Sequence, residues 1–248
     1  MADPVDLAVI APCFNEGPNV GALAERVGQA LSGRGISFEL VLVDDGSHDD
    51  TWAKIGEQAA AHRWVKPVRH EKNRGIVESW RSGLLATGAP RLVTIDADLQ
   101  YRPEDIPTLV DVMDNENVEF VQGWRRDQVG RDRLRVLLTS GLSALLNLLF
   151  GTRLRDNKSG FVLYTRSAMT DVLDFSRPFR HFQHFIAIAA HRRGHRIRQV
   201  PVVFDERAAG VSFINAPVRF AVSALADIPR ALWEFRIGPA CRALGKGR

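Results

Sequence analysis

The first half of the chain alternates short apolar runs with longer stretches of helical periodicity. Residues 7–11 are an unbroken apolar run ending at Pro12, the pattern of a strand buried on both faces. After Gly17-Pro18 an amphipathic pattern runs to about Leu31. Residues 38–43 form the clearest strand, stopped by Asp44-Asp45-Gly46-Ser47, and Asp49 is placed to cap a helix reaching Ala61. Residues 65–68 predict a weaker strand, 76–86 a helix and 92–95 a strand that stops at Asp96. Pro103 suits the first turn of a helix to about Met113, followed by a strand over 118–122.

The second half is patterned differently. Residues 131–150 predict a long amphipathic helix, 156–160 a polar loop, 161–164 a short strand and 180–193 a helix. Residues 197–204 predict a strand in which Pro201 implies an edge or bulge. From about residue 216 the pattern is helical again, interrupted at Pro229. No linker and no repeat divides the chain. The expected organisation is one domain over 1–213, carrying an amphipathic helical tail over 214–248.

Strand–helix alternation implies an α/β fold: a mainly parallel sheet with helices on both faces. Such sheets bind ligands beyond the carboxyl ends of their strands. Three strands end in polar clusters: Asn15-Glu16, Asp44-Asp45 and Asp96-Ala97-Asp98. All three should therefore lie on one edge of the sheet.

The most informative cluster is Asp96-Ala97-Asp98. Two carboxylates two residues apart at a strand end can share a hard cation, Mg²⁺ or Mn²⁺, and bridge it to substrate phosphates; Gln100 adds a third oxygen at the same spacing. Alone the triplet is weak, since aspartates also build turns. In the second cluster Gly46 permits a tight turn, and a carboxylate beside it can accept hydrogen bonds from a base or ribose. In the first, Phe14 can pack on a base and Glu16 can bind a ribose hydroxyl. The glycine patterns of dinucleotide-binding folds and of phosphate-binding loops are absent.

Composition changes this picture little. The 248 residues are 45% hydrophobic and 25% charged, ordinary for a globular protein, with a net charge of +4 that mildly favours anionic partners. Cys13 and Cys241 have neither disulfide nor metal-ligand spacing, and Cys13 follows an apolar run as a buried free thiol would. The chain opens without a basic segment and apolar stretch, so no signal peptide is expected, and no run reaches the ~18 apolar residues of a membrane span. These features suit a cytoplasmic protein. His181, His184, His191 and His195 match no metal spacing and are expected on a helix surface.

Taken together, Pro12-Cys13-Phe14-Asn15-Glu16, Asp44-Asp45-Gly46-Ser47, Asn73-Arg74-Gly75, Asp96-Ala97-Asp98-Leu99-Gln100, Gly123-Trp124-Arg125, Asp156 with Ser159-Gly160-Phe161, and Arg207 with Gly210 and Ser212 resemble the family 2 glycosyltransferases of GT-A fold. Within them the chain resembles the branch of dolichyl-phosphate mannose synthases and polyprenyl-phosphate glycosyltransferases. The resemblance implies that Pro12, Phe14, Glu16, Asp44 and Asp45 hold the nucleoside of a nucleotide-diphosphate sugar, GDP-mannose or a UDP-sugar. Asp96 and Ala97 would lie along the diphosphate, and Asp98 and Gln100, with Asp96, would bind Mg²⁺ or Mn²⁺. Arg125, Arg135, Thr139 and Arg207 would hold the acceptor phosphate. Asp98 and Asp156 would be the catalytic acids, Asp156 lying nearest the sugar–acceptor junction. Three departures stand out: Phe213 where relatives carry lysine, Glu78 where they carry a small residue, and no C-terminal membrane helices.

The chemistry is consistent with an inverting hexosyltransferase acting on a polyprenyl phosphate. A lipid phosphate is already an anion, so it needs positioning by arginines rather than a base. With a soluble saccharide or small-molecule acceptor, Asp156 would be the natural general base. A non-catalytic sugar-nucleotide-binding protein is the remaining reading, and the intact acidic set argues against it. The basic start of the 131–150 helix and the apolar tail suit a peripheral position on the inner face of the membrane. The tail equally suits a homo-oligomer contact. No nucleic-acid partner is expected.

Overall fold

The computed structural model describes residues 5–126, 133–176, 179–205 and 225–237, with backbone alone for 133–139. Seven strands form one sheet: β1 (Leu7–Cys13), β2 (Phe38–Asp44), β3 (Val65–Arg69), β4 (Arg91–Thr94), β5 (Phe120–Arg125), β6 (Val162–Thr165) and β7 (Ile197–Val202). Their order is β3-β2-β1-β4-β6-β5-β7, and every pairing is parallel except the two made by β6. The described helices are α1 (Gly17–Leu31), α2 (Thr51–Ala61), α3 (Ile76–Ala86), α4 (Ile106–Glu116), α5 (Arg133–Phe150), α6 (Arg166–Leu173), α7 (Ile186–Arg192) and α8 (Ile228–Leu232).

The continuous apolar runs are explained by the period-2 geometry of strands covered on both faces. Leu7, Val9, Ala11, Leu40 and Leu42 face one core with Leu23, Val27 and Leu109. Ile10, Val41 and Val43 face the other with Trp80, Leu84 and Ile186. Each fully buried aliphatic of this kind contributes about 1.5–3 kcal/mol, so a slip of register in β1 or β2 would trade one well-filled core for another of different shape.

Several boundaries move. Pro103 opens a 3-10 turn, Pro103–Asp105, and α4 starts only at Ile106. The expected 118–122 strand begins later, at Phe120, because α4 continues to Glu116 and Asn117 closes it in the left-handed conformation at φ 50°. The expected 180–193 helix is a 3-10 turn, Phe182–Phe185, followed by α7. α6 was absent from the sequence reading; Thr165 caps it by accepting from the Ala168 N–H. The 197–204 strand ends at Val202, after which Phe204 makes an isolated bridge to Tyr101. Pro201 lies on the edge strand, as its missing N–H requires. Residue 225 is helical, 226–227 form a turn, and Pro229 sits in the first turn of α8, so the described part of the tail breaks beside Pro229 as expected; residues 216–224 lie outside the described residues.

The cysteine and histidine expectations divide. Cys13 is buried and free, and burial raises its pKa. His184 is buried rather than on the surface, because the 3-10 turn points it inward. No described helix is long and apolar enough to cross a membrane.

Candidate active site

β1, β2 and β4 are adjacent and parallel, so their carboxyl ends meet on one edge of the sheet. The three polar clusters converge there. The Ile95 N–H donates to the Ile10 carbonyl and the Asp45 N–H to the Cys13 carbonyl, which carries the sheet register past each strand end. Beyond that point side chains take over. The Asn15 N–H donates to Ser47 Oγ at 3.0 Å, the His48 N–H to Asn15 Oδ1 at 2.8 Å and the Glu16 N–H to Thr51 Oγ1 at 2.9 Å. The first two loops thus form one hydrogen-bonded unit.

Within that unit the acids differ in role. Asp49 is not the cap residue of α2: Asp50 holds that position without a side-chain bond, and Asp49 instead accepts from Thr51 N and Oγ1 and from the Gly17 N–H. Asp49 therefore ties the start of α1 to that of α2. Asp45 is buried against the 73–75 loop. Its Oδ1 accepts from the Arg74 N–H and lies 2.7 Å from His70 Nδ1, and its Oδ2 accepts from the Gly75 N–H. His70 in turn reaches Ser82 Oγ at 2.8 Å. Both Asp45 oxygens are thus spent on positioning the 73–75 loop. Asp44 is fully buried; Oδ1 accepts from the Ser47 N–H, Arg69 lies 3.4 Å from Oδ2, and Oδ2 accepts no hydrogen bond among the described residues. A buried carboxylate oxygen without a donor is costly, and the imide N–H of a nucleobase is the kind of donor that would satisfy it. Phe14 is half-buried and meets His48 edge-to-face at 6.1 Å; Pro12 is half-buried beside it. Glu16 is buried and its Oε2 accepts from Asn19 Nδ2.

The Asp96–Gln100 segment leaves β4 on the same edge. Ala97 is buried. Leu99 adopts φ 61°, a left-handed conformation that costs a residue with a side chain roughly 1 kcal/mol or more. The turn returns the Gln100 N–H to Asp98 Oδ1 at 3.1 Å. Gln100 Nε2 donates to the Asp205 carbonyl, which leaves the amide oxygen as its ligating atom. The sequence reading missed Asp205 itself, which forks onto Arg102 through Nε at 2.6 Å and Nη2 at 2.7 Å. Arg102 and Asp205 are 103 positions apart, so no local pattern announces the pair.

The donor set suits a hard divalent cation. The candidate ligands Asp96, Asp98 and Gln100 offer oxygen atoms only. No group of three His, Cys, Asp or Glu that could hold a metal occurs among the described residues, so a cation here would complete its shell with oxygens of a bound diphosphate or water.

The Asp156–Gly160 loop crosses the same edge. Thr94 Oγ1 donates to the Gly160 carbonyl at 2.6 Å, and a Cβ on Gly160 would stand 3.8 Å from Asp96 Oδ1. Asp156 is gripped by Arg125: Nε donates to Oδ2 at 2.7 Å and Nη2 to Oδ1 at 3.0 Å, while the Lys158 N–H donates to Oδ1. Burial alone would raise the Asp156 pKa, but the charge and hydrogen bonds of Arg125 outweigh it and hold the carboxyl below the usual range. Burial likewise opposes the charge on Arg125, yet Tyr101, Asp156 and Asp96 hold its pKa above the usual value. The Arg125 guanidinium also lies 5.2 Å from the Phe204 ring centroid. Two of its nitrogens are engaged by Asp156, so a phosphate would be met by Nη1. Arg135 and Thr139 lie on α5, where the backbone alone is described, and Arg207, Gly210, Ser212 and Phe213 lie outside the described residues. Glu78 pairs with Arg74 and Arg81 on the rim of the 73–75 loop.

The site therefore combines a mainly parallel sheet, a carboxylate pair just past a central strand and a buried acidic residue in the neighbouring loop. The sequence pattern of Glycosyl transferase family 2 matches residues 8–176, and the chain belongs to that family. It is 29% identical over 217 residues to dodecaprenyl-phosphate galacturonate synthase of Rhizobium johnstonii, covering 85% of this chain and 63% of the relative. It is also 29% identical over 221 residues to dolichol-phosphate mannosyltransferase of Pyrococcus furiosus, covering 86% and 60%. The chain thus spans about three-fifths of the length of these curated relatives. The fold matches solved glucosyl-3-phosphoglycerate synthase of Mycobacterium tuberculosis in complex with Mn²⁺, uridine diphosphate and glucosyl-3-phosphoglycerate, with a TM-score of 0.68 at 21% identity over 90% of this chain and 79% of that one. The same protein with Mg²⁺ and uridine diphosphate matches with a TM-score of 0.66 at 21% identity, again covering 90% and 79%. The GT-A architecture is therefore common to chains of quite different sequence.

Proposed function

We propose that this protein is a metal-dependent, inverting glycosyltransferase that moves a hexose from a nucleotide-diphosphate sugar to a polyprenyl phosphate. The observation that carries the acceptor class is the state of Asp156. A general base needs a pKa near the working pH and an oxygen open to the incoming hydroxyl. Asp156 has a lowered pKa and accepts from Arg125 through both oxygens. An acceptor that arrives already ionised needs no base, and a phosphate monoester does so.

In this reading the buried Oδ2 of Asp44 takes a base N–H, Phe14 and Pro12 flank the base, and Glu16 meets the ribose. Asp45, through Arg74 and Gly75, holds the loop that closes over the nucleotide. Asp96 and the Ala97 backbone run along the diphosphate. Asp98 and the Gln100 amide oxygen, with Asp96, would hold Mg²⁺ or Mn²⁺, which when bound neutralises charge on the leaving diphosphate. Arg125, oriented by Asp156, and Arg135, Thr139 and Arg207 steer the acceptor phosphate. One of its oxygens bonds to the anomeric carbon as the carbon–oxygen bond to the diphosphate breaks, and nucleoside diphosphate leaves. Attack from the opposite face inverts the anomeric centre. Residues 1–213 are the catalytic unit, and the tail supports it. Leu145, Leu148, Trp233 and Ile237 are exposed, which suits work at the inner membrane surface.

Purified protein with Mg²⁺ and radiolabelled sugar nucleotides is expected to place label on a polyprenyl phosphate in the organic phase. Transfer to a soluble hydroxyl acceptor in place of the lipid would overturn the acceptor class. A thermal-shift panel of GDP-mannose, UDP-glucose and UDP-N-acetylglucosamine with Mn²⁺ identifies the donor, because a ligand that binds only the native state raises its apparent stability.

A further inference from the structure

A cavity opens beside β7, next to the backbone of the Arg125–Asp156 pair. It has a volume of about 400 Å³, and its walls include Arg153, Arg155, His191 and Arg198, with Trp124 and Gln199 at its base. None of its lining residues is acidic. Several other arginines of the described surface face carboxylates: Arg26 faces Glu104, Arg91 faces Asp114, Arg102 faces Asp205 and Arg196 faces Glu119. Arg198 has such a partner in Glu116, but Arg153 and Arg155 form no ion pair among the described residues. A concave wall with three guanidinium groups and one compensating carboxylate, itself outside the cavity, concentrates positive potential.

The wall is also held in place. The Gln199 side chain accepts from the Arg155 N–H at 2.7 Å and donates to Gln122 Oε1 at 2.6 Å and to the Asp156 carbonyl at 2.9 Å. The Arg155 guanidinium lies 5.1 Å from the Trp124 ring centroid, a stacking arrangement that keeps it extended. The Trp124 indole N–H is buried and meets no acceptor among the described residues. Two exposed arginines without a carboxylate partner among the described residues, gathered with Arg198 and His191 in one concave wall, match the charge of a phosphate group.

We propose that this cavity binds a phosphate-bearing anion, a monoester or diester held by Arg153 and Arg155 with support from Arg198 and His191. None of its lining residues belongs to the Asp96–Gln100 segment, and the proposal does not depend on the reaction proposed above. The cavity joins the Arg125–Asp156 pair through the backbone, since Trp124 precedes Arg125 and Arg155 precedes Asp156. The phosphate could belong to a free metabolite or to the headgroup of an anionic lipid, which the exposed Leu148 on the neighbouring end of α5 would accompany into a bilayer surface.

The test compares the full chain with Arg153→Gln/Arg155→Gln and with Arg153→Gln alone, the latter replacing an exposed side chain that packs little. Glycerol 3-phosphate binding is measured by titration calorimetry, and sedimentation is measured with phosphatidylcholine vesicles that contain or lack phosphatidylglycerol. Thermal unfolding and the thermal shift with nucleoside diphosphate serve as controls and are expected to be unchanged. The expected result is a loss of roughly tenfold or more in one of the two binding assays for the double variant, smaller for the single one, and shrinking with added salt. Loss for glycerol 3-phosphate assigns the site to a free phosphate monoester; loss confined to the phosphatidylglycerol vesicles assigns it to a lipid headgroup. Wild-type behaviour of the folded double variant in both assays would overturn the proposal. Because the nucleotide control reads residues that do not line this cavity, failure here is distinguishable from failure of the transferase reading.

Discussion

Arg125 and Asp156, brought together from the end of β5 and the loop before β6, are joined by two hydrogen bonds of 2.7 and 3.0 Å with both side chains almost wholly buried. A buried charge is tolerable while its partner stays, and removal of one partner leaves the other stranded. Asp156→Asn is therefore expected to cost about 3–5 kcal/mol of stability in chemical denaturation. The pH dependence has a definite sign. The folded Asp156 pKa lies below its unfolded value, so the stabilisation is complete above about pH 4 and is lost as the pH falls through the folded value. Denaturation midpoints for the wild type and the variant should converge in acid. A variant as stable as the wild type at neutral pH would show that the pair contributes nothing net.

Asp98 separates function from fold. Its carboxylate lies at a strand end and accepts the Gln100 N–H, a contact worth roughly 0.5–1.5 kcal/mol. Asp98→Ala should keep its thermal transition within a few degrees while transfer activity falls by at least about a hundredfold, the scale expected when charge on a leaving group goes uncompensated. Retention of metal-dependent turnover would refute the assignment of Asp98 to the cation.

Gly46 is required for two independent reasons. It adopts φ 74°, and a Cβ there would stand 2.4 Å from the Lys72 carbonyl carbon and 2.6 Å from the Asn73 nitrogen. Backbone cannot yield as a flexible side chain can. Gly46→Ala should therefore push away the loop that Asp45 holds, lower stability by more than ~1 kcal/mol and weaken nucleotide binding. Calorimetric titration with UDP and GDP checks this; unchanged affinity for whichever nucleotide the wild type binds would place that loop outside the donor site.

His184 has a pKa lowered to about 3, first by burial and then by the charge of Lys158. The unfolded chain takes up a proton at about pH 6.5 that the native chain refuses until about pH 3. More protons bind to the unfolded state across that window, so stability rises with pH through it. His184→Gln is expected to flatten the dependence of the melting temperature between those limits, and an unaltered slope would assign it to other groups.

The sequence by itself determined the strands and their chemistry. Runs such as residues 7–11 and 38–43 are apolar at every position because both faces of the sheet are covered, and that pattern is local. Because β1, β2 and β4 are parallel, polar residues after each of them had to fall on one edge, so the convergence of Asn15, Asp44 and Asp96 was legible before any coordinates. Tertiary structure alone decided what each acid does there. Asp44 and Asp45 are neighbours in sequence and equal in chemistry, yet the pleat sends them in opposite directions: one keeps an oxygen without a donor, and the other is consumed by Arg74, Gly75 and His70. Asp156 is open to a base's role with a hydroxyl acceptor until Arg125 is found on it, and Asp205 reads as nothing until Arg102 is. Such pairings join residues 31 and 103 positions apart. Their energy comes from burial and geometry that no local pattern encodes, and for that reason the place of the site was readable from the chain while the protonation and availability of its groups were not.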